Sequence, residues 1–447
     1  MGACQWLRER IGACDVVLAA AAGGGHAHLC EWLLASGTCT RVGWHEVAGA
    51  LRAGNVSLAE WLLQRMTPEL SAGGGRLSGG SAAPADALVP AAAEGCDLPT
   101  LQRTWERWGP PSAPQKCNII AAAIRSATPD WAAKVEWLES QGCPRNEDEF
   151  RWCKAAAARP DAPARLAWLR DRGYPLDISA LHNAAEAGSS AALVFLLTEV
   201  GDPAAMSSSI AATAAQCGHV SALQVLHGAG CLFDVPHVAS AAATRKQLRA
   251  LVWLVETFGV EAIGLEPQLF HSAAWSGSVK LMAWLRERGC AWDSTAYSGV
   301  AASGCEVALE WLVAAGCPVP ADGSAYKSAC THCALDILRC FLALGFPWGP
   351  DGDVFCHAVL FNASAEVLRW LLLEAGCPVS YGAARAAAAG EPWPALQAGP
   401  TGRPYRPVRP YRRKLRPSDQ RRTREIFRLL KQRWPDEQVG LGAWDDV

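Results

Sequence analysis

The sequence predicts an all-α protein built from about twelve short helix-turn-helix repeats with little or no β-hairpin. An apolar anchor residue, usually Trp followed by Leu, returns about every 29 residues. A Gly follows nearly every anchor after four to six residues, and small residues precede it. Self-similarity at a fixed period of this size is the signature of a solenoid. The anchors are Trp6, Trp32, Trp61, Trp105, Trp137, Trp168, Phe195, Val225, Trp253, Trp284, Trp311, Phe341 and Trp370.

The sequence of each repeat predicts two helices. In 270-FHSAAWSGSVKLMAWLRERGC-290 the small residues form a first helix, and Leu281, Trp284 and Leu285 share one face of a second. Gly289 is typical of the left-handed residue that ends a helix. The Trp–Leu pair is expected to fill the space between stacked repeats, so recognition must lie in residues that do not recur. The predicted repeat-packing residues are Trp32, Trp61, Trp137, Trp168, Trp253, Trp284, Trp311 and Trp370.

Several segments resemble the ankyrin repeat family. Leu181-His182-Asn183-Ala184-Ala185-Glu186-Ala187-Gly188 is similar to that family's Leu-His-x-Ala-Ala-x-x-Gly, and the blocks around His219 and His271 are similar to the same pattern. The resemblance covers roughly residues 1–384 and implies a binding scaffold. The repeats are shorter than the family's usual 33 or so residues and lack its Thr-Pro, so this is a Trp-rich variant without the usual β-hairpin. Such variants resemble expanded families of green algae and protists.

Breaks in the period predict the domain organisation. Residues 1–70 hold repeats, the first of which is incomplete, 71–87 form a Gly/Ser/Ala-rich insertion loop, and 88–384 hold further repeats. Residues 385–417 form a Pro/Arg-rich extended segment, 418–434 a basic amphipathic helix and 435–447 an acidic tail. Two interpretations of the helix 418–434 stay open: it caps the last repeat, or it forms a basic surface that contacts nucleic acid, anionic lipid or an acidic protein.

Charge is unevenly placed along the chain. Residues 1–384 carry 27 Lys and Arg against 36 Asp and Glu, whereas residues 385–447 carry 14 against 7. An Arg-rich tail with interleaved aromatics is one way to bind nucleic acid or an anionic lipid surface. The predicted basic contact residues are Arg406, Arg409, Arg412, Arg413, Lys414, Arg416, Arg421 and Arg422.

The eighteen cysteines are predicted to be free thiols. Five follow the helix-ending Gly, at positions that stacked repeats hold about 8–10 Å apart, which is too far for a disulfide. Reduced thiols favour the cytoplasm or nucleus. The weak metal candidates are Cys330, His332 and Cys333, and the alternative is that these residues fill ordinary repeat positions.

Together these patterns predict a non-enzymatic scaffold for protein–protein interaction that uses the concave face of the solenoid, where variable residues of the first helices and loops select the partner. The protein is expected to act as a monomer without a cofactor. The alternative is nucleic-acid or anionic-membrane binding through the Arg-rich tail, and a remote alternative is a hydrolase such as a phosphodiesterase. No nucleophile elbow or phosphate-binding loop is present, and no apolar run is long enough to predict a membrane span.

Overall fold

A computed structural model describes residues 14–37, 39, 41–66, 84–144, 151–174, 176, 178–200, 208–350, 352–388 and 417–435. This part of the chain forms 26 α-helices and no β-strand, so the predicted all-α class is confirmed. The chain divides into two compact units. Unit 1 comprises Met1–Ala214 and Ser221–Leu232, and unit 2 comprises Ala215–Val220 and Phe233–Val447.

Twelve helix pairs follow one another in the described residues, as the period of the sequence predicts. The first helices are α1 (Cys14–Gly23), α3 (Trp44–Arg52), α5 (Pro84–Gly95), α7 (Ala113–Arg125), α9 (Arg151–Ala157), α11 (Ile178–Ala187), α13 (Ser209–Cys217), α15 (Val235–Thr244), α17 (Pro267–Ser276), α19 (Thr295–Ser303), α21 (Ser324–Thr331) and α23 (Asp353–Leu360).

The second helices follow the first after a short turn. They are α2 (Ala27–Ala35), α4 (Val56–Arg65), α6 (Leu98–Trp108), α8 (Trp131–Ser140), α10 (Ala162–Asp171), α12 (Ser190–Val200), α14 (Val220–Gly228), α16 (Leu248–Phe258), α18 (Val279–Glu287), α20 (Glu306–Ala314), α22 (Leu335–Ala343) and α24 (Ala365–Arg369). Two further helices follow, α25 (Tyr381–Ala388) and α26 (Pro417–Arg433).

First helices of neighbouring repeats pack closely because their contact positions are small. A Cβ added at Gly49 in α3 would lie 3.2 Å from the Ala19 carbonyl oxygen of α1. At Gly299 in α19 it would lie 2.8 Å from the His271 carbonyl oxygen of α17, which is closer than real Cβ atoms come. The runs of Ala and Gly in the sequence therefore set the spacing of the stack.

The leucine of each Trp–Leu pair lies in the core of its unit. Leu138, Leu285 and Leu312 are all 0% exposed. The backbone N–H of Cys317 donates to the Leu312 carbonyl five residues earlier at 3.0 Å, while Gly316 takes the left-handed conformation at φ 79°. This pair of features is the Schellman ending, which satisfies carbonyls that the end of a helix leaves free.

Two second helices depart from the predicted register. At the end of α22 the corresponding hydrogen bond runs from the Phe346 N–H to the Phe341 carbonyl. Phe341 is 0% exposed, whereas Leu342 is 38% exposed. Phe341 therefore holds the leucine position, and the predicted anchor is wrong by one residue. After α24 a π-helical turn, Trp370–Glu374, absorbs one extra residue before Gly376. A single π turn is the usual way in which a helix accommodates such an insertion.

Helix α26 packs against α24, the π turn and α25 of unit 2. Ile426 and Leu430 are 3% and 0% exposed, and the Arg433 guanidinium donates to the Leu372 carbonyl. The apolar face of this basic helix is therefore buried on the last repeat, where a terminal repeat would otherwise expose its core.

Some predicted boundaries differ from the structure. Helix α5 begins at Pro84, inside the predicted insertion 71–87, because its apolar positions from Ala85 onwards are buried. Helix α25 continues to Ala388, past the predicted end of the repeats at residue 384. Four predicted parts lie wholly or mostly outside the described residues: 71–83 of the insertion 71–87, 389–416 of the Pro/Arg-rich segment 385–417, the part of the incomplete first repeat before residue 14, and the acidic tail after residue 435.

Candidate functional site

The eight predicted packing tryptophans differ in burial. Trp253 and Trp370 are 9% and 5% exposed, and Trp32 is 41% exposed. The other five, Trp61, Trp137, Trp168, Trp284 and Trp311, are partly buried.

Most of these rings contact another ring or an arginine. Trp137 meets Trp105 edge-on at 5.4 Å, and an arginine four residues on lies over Trp61 at 3.7 Å and over Trp284 at 3.9 Å. The deep position in these helices thus belongs to leucine, and the tryptophan lies at the edge of the core.

The metal candidates do not form a ligand cluster. Cys330 is 0% exposed in α21, and burial raises its thiol pKa. Cys333 is exposed, holds the left-handed turn position at φ 54° and accepts a hydrogen bond from the Ser364 N–H at 3.3 Å. No three His, Cys, Asp or Glu side chains that could hold a metal ion come together in the described residues.

Unit 1 contains a fully buried lysine. Lys134 of α8 is 0% exposed, and its Nζ donates to the carbonyls of Ala93 and Cys96 and to the Ser126 hydroxyl at 2.7–2.8 Å. Burial lowers its pKa to about 8, against the opposing charge of Asp130. The ammonium lies at the carboxyl end of α5, where a helix favours a cation, so its role is structural.

Ion pairs cross the exposed side of the first helices in unit 1. Glu94 of α5 lies 3.2 Å from Arg125 of α7 and 4.0 Å from Arg52 of α3. Lys154 of α9 lies 2.7 Å from Glu186 of α11. Charge on this side is therefore largely paired within the protein.

The corresponding side of unit 2 is aromatic. Trp275 of α17 is 42% exposed and meets the His332 ring edge-on at 5.3 Å, across α19, which has only Ala302 at the equivalent position. Leu360 and Phe361, at the end of α23, are 47% and 51% exposed. We call the exposed side of α17, α19, α21 and α23 the aromatic face; it is defined by His271, Trp275, Lys327, His332, His357, Leu360 and Phe361.

The aromatic face carries little free charge. Lys327 of α21 and Asp353 of α23 form an ion pair at 2.5 Å. Burial, helped by the positive charge of Lys327, lowers the pKa of His357 to about 4, so its imidazole is neutral near pH 7. The His357 ring stacks on Phe361 at 4.2 Å.

Two ring nitrogens on this face differ in their partners. The Nδ1 of His271 donates to the Thr295 carbonyl at 2.8 Å. The Nδ1 of His357 is buried without a hydrogen-bond partner among the described residues. Exposed aromatic rings with paired or neutral polar neighbours make a surface suited to an apolar contact.

Most of the predicted basic contact residues lie in a part of the chain that the structure does not describe. Arg406, Arg409, Arg412, Arg413, Lys414 and Arg416 lie outside the described residues, and Arg421 and Arg422 are in α26 but their side chains are not described. Arg428 and Lys431 of the same helix are exposed.

Sequence reasoning placed recognition in the variable residues of the first helices but did not single out Trp275 or Phe361. A signal was available for Trp275. It is a large aromatic in the small-residue segment, at a position where other repeats carry Glu186, Gln216 or Ala302.

No family model and no curated protein matches the sequence. Among solved structures, the chain is similar to the pentatricopeptide repeat protein PPR10 from maize, with 14% identity over 86% of this chain and a TM-score of 0.30. The chain spans 63% of the length of that protein. The helix pairs described above make this chain a helical-repeat protein of the α-solenoid class. No helix in the described ranges has the length and apolarity to cross a membrane.

Proposed function

We propose that the protein is a non-enzymatic scaffold that binds a protein partner through the aromatic face of unit 2. The observation that carries this proposal is the exposure of Trp275 and Phe361 on a side of the stack where unit 1 has ion pairs instead. Trp is among the residues that most often dominate binding energy at protein interfaces. Repeat proteins use such stacked helix surfaces to select partners.

The energetic gain is large enough for a specific contact. Trp275 and Phe361 are each about half exposed. Burying the exposed halves would remove roughly 200 Å² of apolar surface, worth about 5 kcal/mol before the costs of association. Neutral His357 and the Lys327–Asp353 pair add little desolvation penalty around the two rings.

The test is quantitative affinity capture from the source cell with three full-length proteins. Trp275→Ser combined with Phe361→Ser should lower recovery of the main protein partner at least tenfold. Val307→Ser is the matched control, because Val307 is 64% exposed but lies on the second helix α20. Equal recovery of every protein partner by all three chains would refute the assignment of this face.

We also propose that the repeats are of the ankyrin type. Short helices joined by a tight left-handed turn support this, as does the His position of the family pattern. In unit 1, His182 lies between the Thr213 and Ser209 hydroxyls, at 3.3 and 3.2 Å, and so joins α11 to α13. A sequence alignment of relatives in which His182 and Gly188 vary freely while the Trp–Leu pair stays would count against it.

A second candidate function is nucleic-acid binding through the Arg-rich tail. Residues 403–433 hold 13 Lys and Arg against two acidic residues, in a chain whose net charge is −2. The apolar face of α26 is occupied by packing on the last repeat, which disfavours insertion of this helix into a lipid surface.

This candidate is tested by charge removal rather than deletion, because deletion of α26 would uncover the last repeat. Replacing Arg412, Arg413 and Lys414 by Gln should lower affinity for a single-stranded oligonucleotide and reduce its salt dependence. Unchanged affinity, or a wild-type affinity that does not fall with salt, would exclude electrostatic binding by the tail.

A further inference from the structure

A groove opens between two second helices of unit 1, α4 and α6. It encloses about 220 Å³ and continues into a second hollow of about 200 Å³ that shares Glu60, Leu63 and Arg107 with it. Its floor is apolar and its α6 wall is polar. We call it the α4–α6 groove; the residues used below are Ala59, Glu60, Leu63, Thr100, Arg103 and Arg107.

The groove is open because no pair of aromatic rings bridges α4 and α6 in the described residues. In the next two gaps of the stack, Trp105 meets Trp137 at 5.4 Å and Trp131 meets Trp168 at 5.0 Å. Between α4 and α6 no ring pair is present among the described residues: Trp61 lies under Arg65, and Trp108, which lines the groove, packs edge-on against Trp44 of α3. This gap coincides with the irregular step of 44 residues from Trp61 to Trp105.

Two guanidinium groups line one wall of the groove. Arg103 and Arg107 are one helical turn apart on α6, and both are exposed. Arg103 donates to its own helix, to the Thr100 hydroxyl at 3.0 Å, and Arg107 lies 5.0 Å from the Trp108 ring. Neither forms an ion pair with a carboxylate in the described part of the chain, unlike Arg52, Arg125, Arg170 and Arg172 of the same unit.

We infer that the α4–α6 groove is a docking site for an acidic peptide segment of a partner protein, one with a large apolar residue beside its carboxylates. Arg103 and Arg107 pair with the carboxylates, and the apolar side chain lies on the floor formed around Ala59 and Leu63. Guanidinium groups make two parallel hydrogen bonds to a carboxylate, which fixes its orientation as well as its charge.

Charge complementarity selects this occupant over other anions. Residues 1–384 carry nine more acidic than basic residues, so the surroundings repel an extended polyanion such as nucleic acid. A small inorganic anion would gain nothing from the apolar floor. A peptide with an apolar side chain beside its carboxylates contacts both the arginine wall and the apolar floor. Glu60 on the α4 side repels a segment that is acidic along its whole length. This site is independent of the proposal for the aromatic face.

The experiment is selection of random twelve-residue peptides displayed on phage against the full-length protein. The selected peptides are then made with a fluorescent label, and their binding is measured by anisotropy at two salt concentrations. We expect the selected set to carry Asp or Glu beside a large apolar residue. Affinity should fall at least tenfold in the double variant Arg103→Gln with Arg107→Gln, and should fall with added salt.

Two further proteins keep the result interpretable. Leu63→Trp fills the groove and should also weaken binding, without any change of charge. Arg245→Gln with Arg249→Gln removes two exposed arginines of unit 2 and should leave binding unchanged. Selection of peptides without acidic residues, equal affinity for wild type and the Arg103/Arg107 variant, or failure to select any peptide sensitive to that variant would overturn the proposal.

Discussion

Raising the pH towards 10 should destabilise unit 2 far more than unit 1. Burial raises the pKa of Cys290, Cys317 and Cys356 to about 11 and that of Cys377 to about 12, and all four thiols are in unit 2. These groups keep their protons in the folded state, whereas an unfolded thiol loses its proton near pH 9. Stability from this source is therefore complete below pH 9 and is lost as the pH rises through 11.

The magnitude follows from proton linkage. At pH 10 each of the four thiols costs about 1.4 kcal/mol, and together roughly 6 kcal/mol, which is comparable to the whole stability of a typical domain. In unit 1 two effects oppose each other. Burial raises the pKa of the Cys96 thiol to about 11 and also raises the pKa of Cys30 and Cys231, so these thiols act in the same direction as those of unit 2. Lys134, with its pKa lowered to about 8, gives up its proton first in the folded state and contributes about 2.5 kcal/mol in the stabilising direction.

The assay is urea unfolding of the full chain at pH 8 and pH 10 under a phosphine reductant, followed by a short pulse of protease. Mass spectrometry of the surviving fragments reports residues 84–200 and 235–388 separately. Cys317→Ala should reduce the pH-dependent loss of unit 2 by about 1.4 kcal/mol, whereas Cys217→Ala, at an exposed position, should not change it. Equal shifts of both units, or no effect of Cys317→Ala on the pH dependence, would refute the reasoning.

Three substitution pairs test the packing. Leu312→Ala should lower the free energy of unfolding by about 3 kcal/mol, and Leu342→Ala, at a 38% exposed position, by less than about 1 kcal/mol; equal losses in urea titrations would contradict the register described here. Tyr297→Phe should cost about 1 kcal/mol and Tyr326→Phe less, because their hydroxyls donate to carbonyls at 2.9 and 3.3 Å; the reverse order in thermal unfolding would disagree. Lys134→Met removes the ammonium that donates to the buried Ala93 and Cys96 carbonyls and should cost about 2–4 kcal/mol, against less than about 1 kcal/mol for Lys154→Met at a surface ion pair. Similar midpoints for the two variants would argue against a structural Lys134.

The repeat architecture could be predicted from the sequence because each repeat restates the same physical rules. Leucine after the anchor, small residues before it and Gly after it recur often enough that a local exception does not hide the period. The free thiols followed from the same argument, since one position in every repeat has one environment. Cys290, Cys317 and Cys377 are indeed unpaired and nearly inaccessible.

The period could not reveal features that depend on neighbouring repeats. The shift of Phe341 into the leucine position is shown by its backbone hydrogen bond and its burial, and the sequence hints at it only through Gly345, which follows Phe341 by four residues where Gly316 follows Trp311 by five. The edge position of most tryptophans depends on how far apart the second helices stand, which the small residues of the first helices set from the other side of the stack.

The two candidate sites also depend on contacts between neighbouring repeats. Trp275 is exposed because the next repeat has Ala302 beside it, and the α4–α6 groove is open because no ring pair bridges its two helices in the described residues. Both sites arise from exceptions to the repeat, and the sequence carries a signal for each: the large aromatic residue Trp275 in a small-residue segment, and the irregular step between Trp61 and Trp105.

The central claim is that the aromatic face of unit 2 binds a protein partner. Its most direct test is the dissociation constant of the captured partner, measured with purified proteins for wild type, for Trp275→Ser with Phe361→Ser, and for Val307→Ser. The account predicts a dissociation constant at least tenfold higher for the double variant and unchanged for Val307→Ser. Equal dissociation constants for all three proteins, each shown to be folded by circular dichroism, would contradict it.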